Sequence, residues 1–139
     1  PYVSEIKIIR EKGKYKIGKI EISAPVRHVH GVETYGLIFK GGGHQIAYVT
    51  DTNYFPALEK KYHGDILVVS VLSVKPSAFQ HLSIDEIKGL IKKVKPKTTI
   101  LTHFGVWMIK AKPWRVAEEL NKELKARVIA ASDGLNFIF

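Results

Sequence analysis

Asp65-Ile-Leu-Val-Val-Ser-Val71 decides the fold. A nearly continuous apolar, β-branched run of this length, without polar alternation, predicts a central strand covered on both faces. Ser83-Ile-Asp-Glu86 follows it as a capping box that opens a helix. Ile84, Ile87, Leu90, Ile91 and Val94 recur at i, i+3, i+4 spacing, and Pro96 stops the helix. Residues 98–101 (Thr-Thr-Ile-Leu) predict the next buried strand. Pro113, at a permitted first-turn position, starts a second amphipathic helix with Val116, Ala117, Leu120 and Leu124 on one face. Strands interleaved with helices predict an α/β fold.

Outward from this centre the pattern is hairpin-rich. Residues 4–9 and 15–22 are expected to be two strands, with a turn at Lys12-Gly13 and a stop at Ala24-Pro25. Residues 35–39 and 45–49 predict another hairpin around Gly41-Gly42-Gly43. That triplet lacks the Lys-Ser/Thr of a phosphate-binding loop and joins two strands, so it is assigned to the turn. Residues 127–130 and 136–139 are the last expected strands, separated by Asp133-Gly134. The expectation is one domain, residues 1–139, with a mixed sheet and two main helices on one face. Two helices are too few to cover both faces, so a further layer is expected from another half of the protein or a partner chain. Pro1 in place of Met is consistent with a start inside a longer gene product.

The composition bounds the function classes. Apolar residues make up 45% and charged residues 25% of the 139, the balance of a globular domain. No run approaches the eighteen or so apolar residues of a membrane span. No secretory h-region follows a basic start, so no membrane association and a cytoplasmic location are expected. The absence of cysteine excludes disulfides and thiolate ligands, and any metal site must use His, Asp or Glu. Lys and Arg number 22 against 13 acids, a net +9, which favours polyanionic partners such as nucleic acids or phosphate esters; a solvated, repulsive surface is the plainer account. The Lys-rich, Cys-free, Met-poor composition suits a thermophile.

The polar residues at strand ends carry the chemistry. Asp51 follows an apolar strand directly, and so does His103, in Thr99-Ile-Leu-Thr-His-Phe104. His30 precedes a buried strand, and His81 lies just before a helix cap. Open sheets place ligands and catalytic groups at strand ends, and an Asp with a His makes a plausible oxygen-plus-nitrogen metal pair. Each has a plainer alternative. Asp51 suits a turn cap, His81 an exposed pre-helix position, and His103 a satisfied half-buried site. His28 and His30 share one face of a strand and form a weak H-x-H chelate on their own. His44 and His63 lie beside Gly and are expected at the surface.

The ordered set His30-Gly-Val-Glu-Thr-Tyr-Gly36, Tyr48-Val-Thr-Asp51-Thr, His81-Leu-Ser, Leu101-Thr-His103-Phe and Ala131-Ser-Asp-Gly134 resembles the second half of a metallo-β-lactamase-fold hydrolase. The likeness is to the ribonuclease Z and cyclic phosphodiesterase branch and runs from about Ile20 onward. It implies half of a four-layer αββα fold. It implies two divalent metal ions, zinc first, with manganese or iron as alternatives. It implies His30 and His103 as metal ligands, with His28 as the alternative to His30, and Asp51 as a metal-bridging carboxylate. It implies His81 as a catalytic group near the scissile phosphate. The family signature H-x-H-x-D-H is missing, because His28-Val-His30-Gly-Val lacks the Asp-His that should follow. The expectation is therefore a C-terminal half, inactive without an N-terminal half or partner chain and able to form a homo-oligomer. The expected activity is that of a phosphodiesterase or nuclease. The alternatives are a non-catalytic half domain that binds nucleic acid or a partner, and a metallo-hydrolase of a lactone, thioester or amide. Lys110 and Lys112 are candidate substrate cations, with an ordinary surface role the plainer account.

Overall fold

The computed structural model describes residues 2–3 and 5–138. Its seven strands are β1 (Gly13–Ile17), β2 (Ile20–Ala24), β3 (Leu37–Gly41), β4 (His44–Val49), β5 (Ile66–Ser70), β6 (Thr98–Thr102) and β7 (Val128–Ala130). They form one sheet in sequence order. The first four pair antiparallel, and β4 to β7 pair parallel. The helices are α1 (Ala57–Lys61), α2 (Ile84–Val94), α3 (Val106–Lys110) and α4 (Pro113–Leu124). The two main helices fall where the sequence predicts them; α1 and α3 are short additions.

The run that decides the fold is β5, second from the end of the parallel ladder's four strands and flanked by β4 and β6. Its Leu67 and Val69 point into the core with Ala47, Val49, Leu101 and Val128 of the neighbouring strands. Ile87, Leu90 and Ile91 of α2 and Val116, Ala117 and Leu120 of α4 pack on that face. The Glu86 carboxylate accepts the Ser83 backbone N–H at 2.7 Å, satisfying one of the donors left over at the start of α2.

The opposite face keeps the other half of each strand: Leu37, Phe39, Ile46, Tyr48, Val68, Ile100 and Ile129, all only partly buried. No helix packs there among the described residues. On that side the sheet presents an apolar, half-exposed face.

Three expectations at the periphery are corrected. Residues 5–9 form no strand, and Ile6 and Ile8 are exposed; Ser4 lies outside the described residues. Residues 15–22 are not one strand but a hairpin, β1 and β2, with Tyr15 opposite Ile22 and Ile17 opposite Ile20. The alternation changes phase at Gly18-Lys19, which a single strand cannot do. Gly18 sits at φ +57°, the left-handed geometry of a two-residue turn. Residues 136–138 form no strand, and Phe139 lies outside the described residues. The Gly triplet is a turn as expected, with Gly42 and Gly43 at positive φ.

Candidate metal centre

Parallel strands carry their C-terminal ends to one edge of the sheet, so residues just after β4, β5 and β6 become neighbours. Asp51 follows β4, His81 lies in the loop from β5 to α2, and His103 follows β6. His30 arrives from the other direction, on the loop between β2 and β3.

The four side chains meet around Asp51. Its Oδ2 is 3.6 Å from His81 Nε2, and its Oδ1 is 3.4 Å from His103 Nδ1. The His81 and His103 rings are stacked, with centroids 5.8 Å apart. His30 meets His81 edge to face at 5.2 Å. One ligand atom each from His30, Asp51 and His81 lies within 4.8 Å of the others. His81 belongs to that tight group, and His103 stands beside it, 51% exposed and 3.4 Å from Asp51.

The donor set fits a metal. It offers imidazole nitrogens and carboxylate oxygen, the ligands that suit zinc, manganese or iron. The Asp51 carboxylate turns its two oxygens to two different histidines. His81 Nδ1 is buried without a hydrogen-bond partner among the described residues. Buried polar atoms without partners are uncommon and mark functional groups or bound ions.

Local hydrogen bonds fix the placement. Thr52, fully buried, accepts the Val29 N–H at 3.0 Å, and Asn53 N–H donates to the Val29 carbonyl at 2.8 Å. These two bonds tie the His28–His30 segment to the segment that carries Asp51. His30 Nδ1 accepts the Val32 N–H at 3.4 Å. His103 stands at φ +58°, a conformation that costs a non-Gly residue about 1–2 kcal/mol. Strain of this kind gathers at functional sites. Gly105 follows it because its neighbour leaves no room: an added Cβ would lie 2.6 Å from the Leu72 carbonyl oxygen.

His28, the alternative to His30, lies outside the cluster and points into the core. The ring is buried, 3% exposed. Nε2 is 2.9 Å from the Tyr62 hydroxyl and Nδ1 is 3.1 Å from Thr50 Oγ1. Thr50 donates its own proton to the Tyr35 carbonyl, so it accepts from His28 Nδ1–H, and Nε2 accepts from Tyr62. Burial pushes the His28 pKa down to about 4, opposed by a backbone hydrogen bond at Asp51 and by the Asp51 charge. Neither nitrogen is left for an ion.

Lys110 does not reach the cluster either; its ammonium sits over the Trp107 ring, 4.8 Å from the centroid. Lys112 is the residue before α4, in the left-handed region. His44 and His63 are exposed, as expected. Sequence reasoning missed Thr52, Tyr62 and Gly105. Their signal is three-dimensional, because each is defined by what it approaches.

The family described as a beta-lactamase superfamily domain matches residues 2–104. The chain belongs to the β-lactamase superfamily. A search of curated proteins finds no match. Among solved structures, this superfamily member is similar to the metallo-beta-lactamase fold protein YhfI from Bacillus subtilis, at 17% identity and a TM-score of 0.77 over 91% of this chain and 53% of that one. It is similar to a diphosphatase of the PhnP family at 28% identity and a TM-score of 0.68, over 94% of this chain and 47% of that one. It is also similar to a metallo hydrolase from the hyperthermophilic archaeon Ignicoccus hospitalis, at 16% identity and a TM-score of 0.68 over 94% and 60%. The chain thus spans about half the length of the first two. The seven-stranded mixed sheet with helices on one face is the metallo-β-lactamase fold in part. No helix among the described residues is long and apolar enough to cross a membrane.

Proposed function

We propose that this superfamily member supplies half of a dinuclear metal site that hydrolyses phosphodiesters, and that the other half of the fold, from the same gene product or a partner chain, covers the bare sheet face and completes the ligand set. The observation that carries this is the Asp51 carboxylate, with one oxygen turned to His81 and the other to His103. A carboxylate placed between two imidazoles is suited to bridge two ions. His30 and His103 would hold one ion each, with zinc first and manganese or iron as alternatives. Divalent ions held there supply a water of low pKa and neutralise charge on phosphoryl oxygens.

The chain's own groups then have separate work. Asp51 orients both flanking imidazoles and keeps a negative charge at the centre. His81, 18% exposed, faces both Asp51 and solvent. An imidazole in that position can donate a hydrogen bond or a proton to the leaving oxygen of a phosphodiester. The Thr52–Val29 tether keeps His30 in register with Asp51, so the ligands are placed before an ion arrives. The 28% identity to a diphosphatase supports a phosphoester substrate over a lactone, thioester or amide.

The test is metal analysis of the full-length protein together with hydrolysis of bis-p-nitrophenyl phosphate, a lactone and a thioester in parallel. Two tightly held ions per chain and phosphodiester turnover that Asp51→Ala abolishes are expected. Full activity in Asp51→Ala overturns the proposal, and turnover of the lactone or thioester alone moves the substrate class. A protein that binds no metal and turns over nothing is the non-catalytic half domain.

A further inference from the structure

At the edge of the sheet opposite the histidines, α2 and α4 run out side by side. Lys88 of α2 and Glu123 of α4 hold them together with an ion pair of 2.7 Å. Both helices end on a lysine in the left-handed region: Lys95 at φ +52° and Lys125 at φ +50°. That position is normally filled by glycine or asparagine, because a Cβ is strained there. Basic residues in the last turn of a helix are ordinary, since they complement the helix dipole. Lys12 and Lys112 also stand at positive φ, outside this region, so what distinguishes the two helix ends is the set of charges they bring together. Lys92 and Lys122 already serve the last turns.

The two ends open onto one cleft of about 430 Å³. Its lining contains Lys92, Lys95, Lys97, Lys125 and Arg127 and no acid. Lys97 pairs with Asp65 at 2.8 Å. Lys92, Lys95, Lys125 and Arg127 make no ion pair among the described residues. Arg127 is braced instead, its guanidinium 5.1 Å from the Phe137 ring centroid. Like charges gathered without counter-charges repel one another, and the arrangement gains only when a polyanion enters. Lys97 and His103 flank the two ends of β6, so roughly 20 Å separates this cleft from the metal-binding edge. The two surfaces do not share a residue.

We propose that this cleft is a binding site for the phosphate backbone of a nucleic acid, separate from the His–Asp cluster. Five cations in one cleft with no acid among them exceed the charge of a single anion and suit a chain of phosphates. The proposal goes beyond the phosphodiesterase function and does not depend on it, since the cleft binds whether or not the cluster cleaves.

The test uses the full-length protein, stripped of metal with a chelator so that nothing is cut, and a fluorescein-labelled single-stranded oligonucleotide of twelve uridines. Anisotropy is followed across a range of sodium chloride concentrations. The informative variant is Lys95→Gly together with Lys125→Gly. Glycine relieves the backbone at both positions, so the melting temperature is held or raised while two charges are removed. Binding weaker by at least about tenfold, with a log–log salt slope smaller by about 1.4, is expected for two lost phosphate contacts. Unchanged affinity and slope in the double variant overturn the proposal. Inorganic polyphosphate competing far better than oligonucleotide at equal phosphate concentration overturns the assignment to nucleic acid. Asp51→Ala is expected to bind like the parent, which separates failure of this site from failure of the catalytic proposal.

Discussion

Acid should unfold this protein through His28 before it reaches most of the carboxylates. The folded ring is neutral, buried and hydrogen-bonded at both nitrogens, and its pKa is held down to about 4 by burial. In the unfolded chain it returns to 6.5. The unfolded state therefore takes up a proton as pH falls through about 6.5, while the folded state refuses one until about 4. Stability from this residue is complete above about 6.5 and is lost between there and about 4. At about 1.4 kcal/mol per pKa unit the whole swing is about 3 kcal/mol, of which about 2 kcal/mol falls between pH 7 and pH 5. That is a large part of the stability of a typical domain.

The assay is urea unfolding of the metal-free protein at pH 7, 6 and 5, for the parent and for His28→Gln. Other titrating groups are common to both proteins and cancel in the difference. The parent's advantage over His28→Gln should shrink by about 2 kcal/mol from pH 7 to pH 5. Parallel pH profiles would refute the reasoning, as would a His28 ring resonance that titrates near 6.5 by NMR.

Three further outcomes test the site itself. Thr52→Val removes the acceptor of the Val29 N–H and should cost about 1–3 kcal/mol in unfolding, with metal affinity down by about 10–100-fold, measured by competition with a chromogenic chelator. Gly105→Ala drives a Cβ against the Leu72 carbonyl; a destabilisation of about 1–3 kcal/mol is expected, together with reduced metal content because His103 lies two residues away. His81→Gln in the complete protein should lower kcat by about 100-fold or more with metal content retained, and loss of metal instead would make His81 a ligand.

The centre of the fold was legible and the rim was not. Residues 65–71, 84–94 and 113–124 each follow one period over their whole length, and burial in the core leaves such segments one choice. Residues 15–22 carry the same apolar count on two phases, and only the turn at Gly18 decides between one strand and two. Residues 5–9 show that β-branched residues without a neighbouring strand remain irregular, because a strand exists by virtue of its partner. At the site, Asp51 and His103 could be picked out because the strand ends are visible in the sequence. His28 and His30 could not be told apart that way, since both carry the same ring two residues apart. The difference lies in Tyr62, thirty-four residues away from His28, whose hydroxyl takes one ring nitrogen. Gly36 admits it: a Cβ there would lie 2.7 Å from that hydroxyl.

That division of labour explains the H-x-H spacing without a chelate. Alternate residues of an extended segment point the same way only if the segment is straight, and here it is pinned at its middle by Thr52 and Asn53 through Val29. One histidine turns inward to anchor the loop in the core, and the other is left at the edge beside Asp51. The anchor and the candidate ligand are thus coupled through a single residue. Protonating or truncating His28 should loosen His30 before it disturbs His81 or His103, which stand on other loops. His ring shifts in that order, followed by NMR during acid titration of the metal-free protein, would distinguish this coupling from general unfolding, in which all four rings move together.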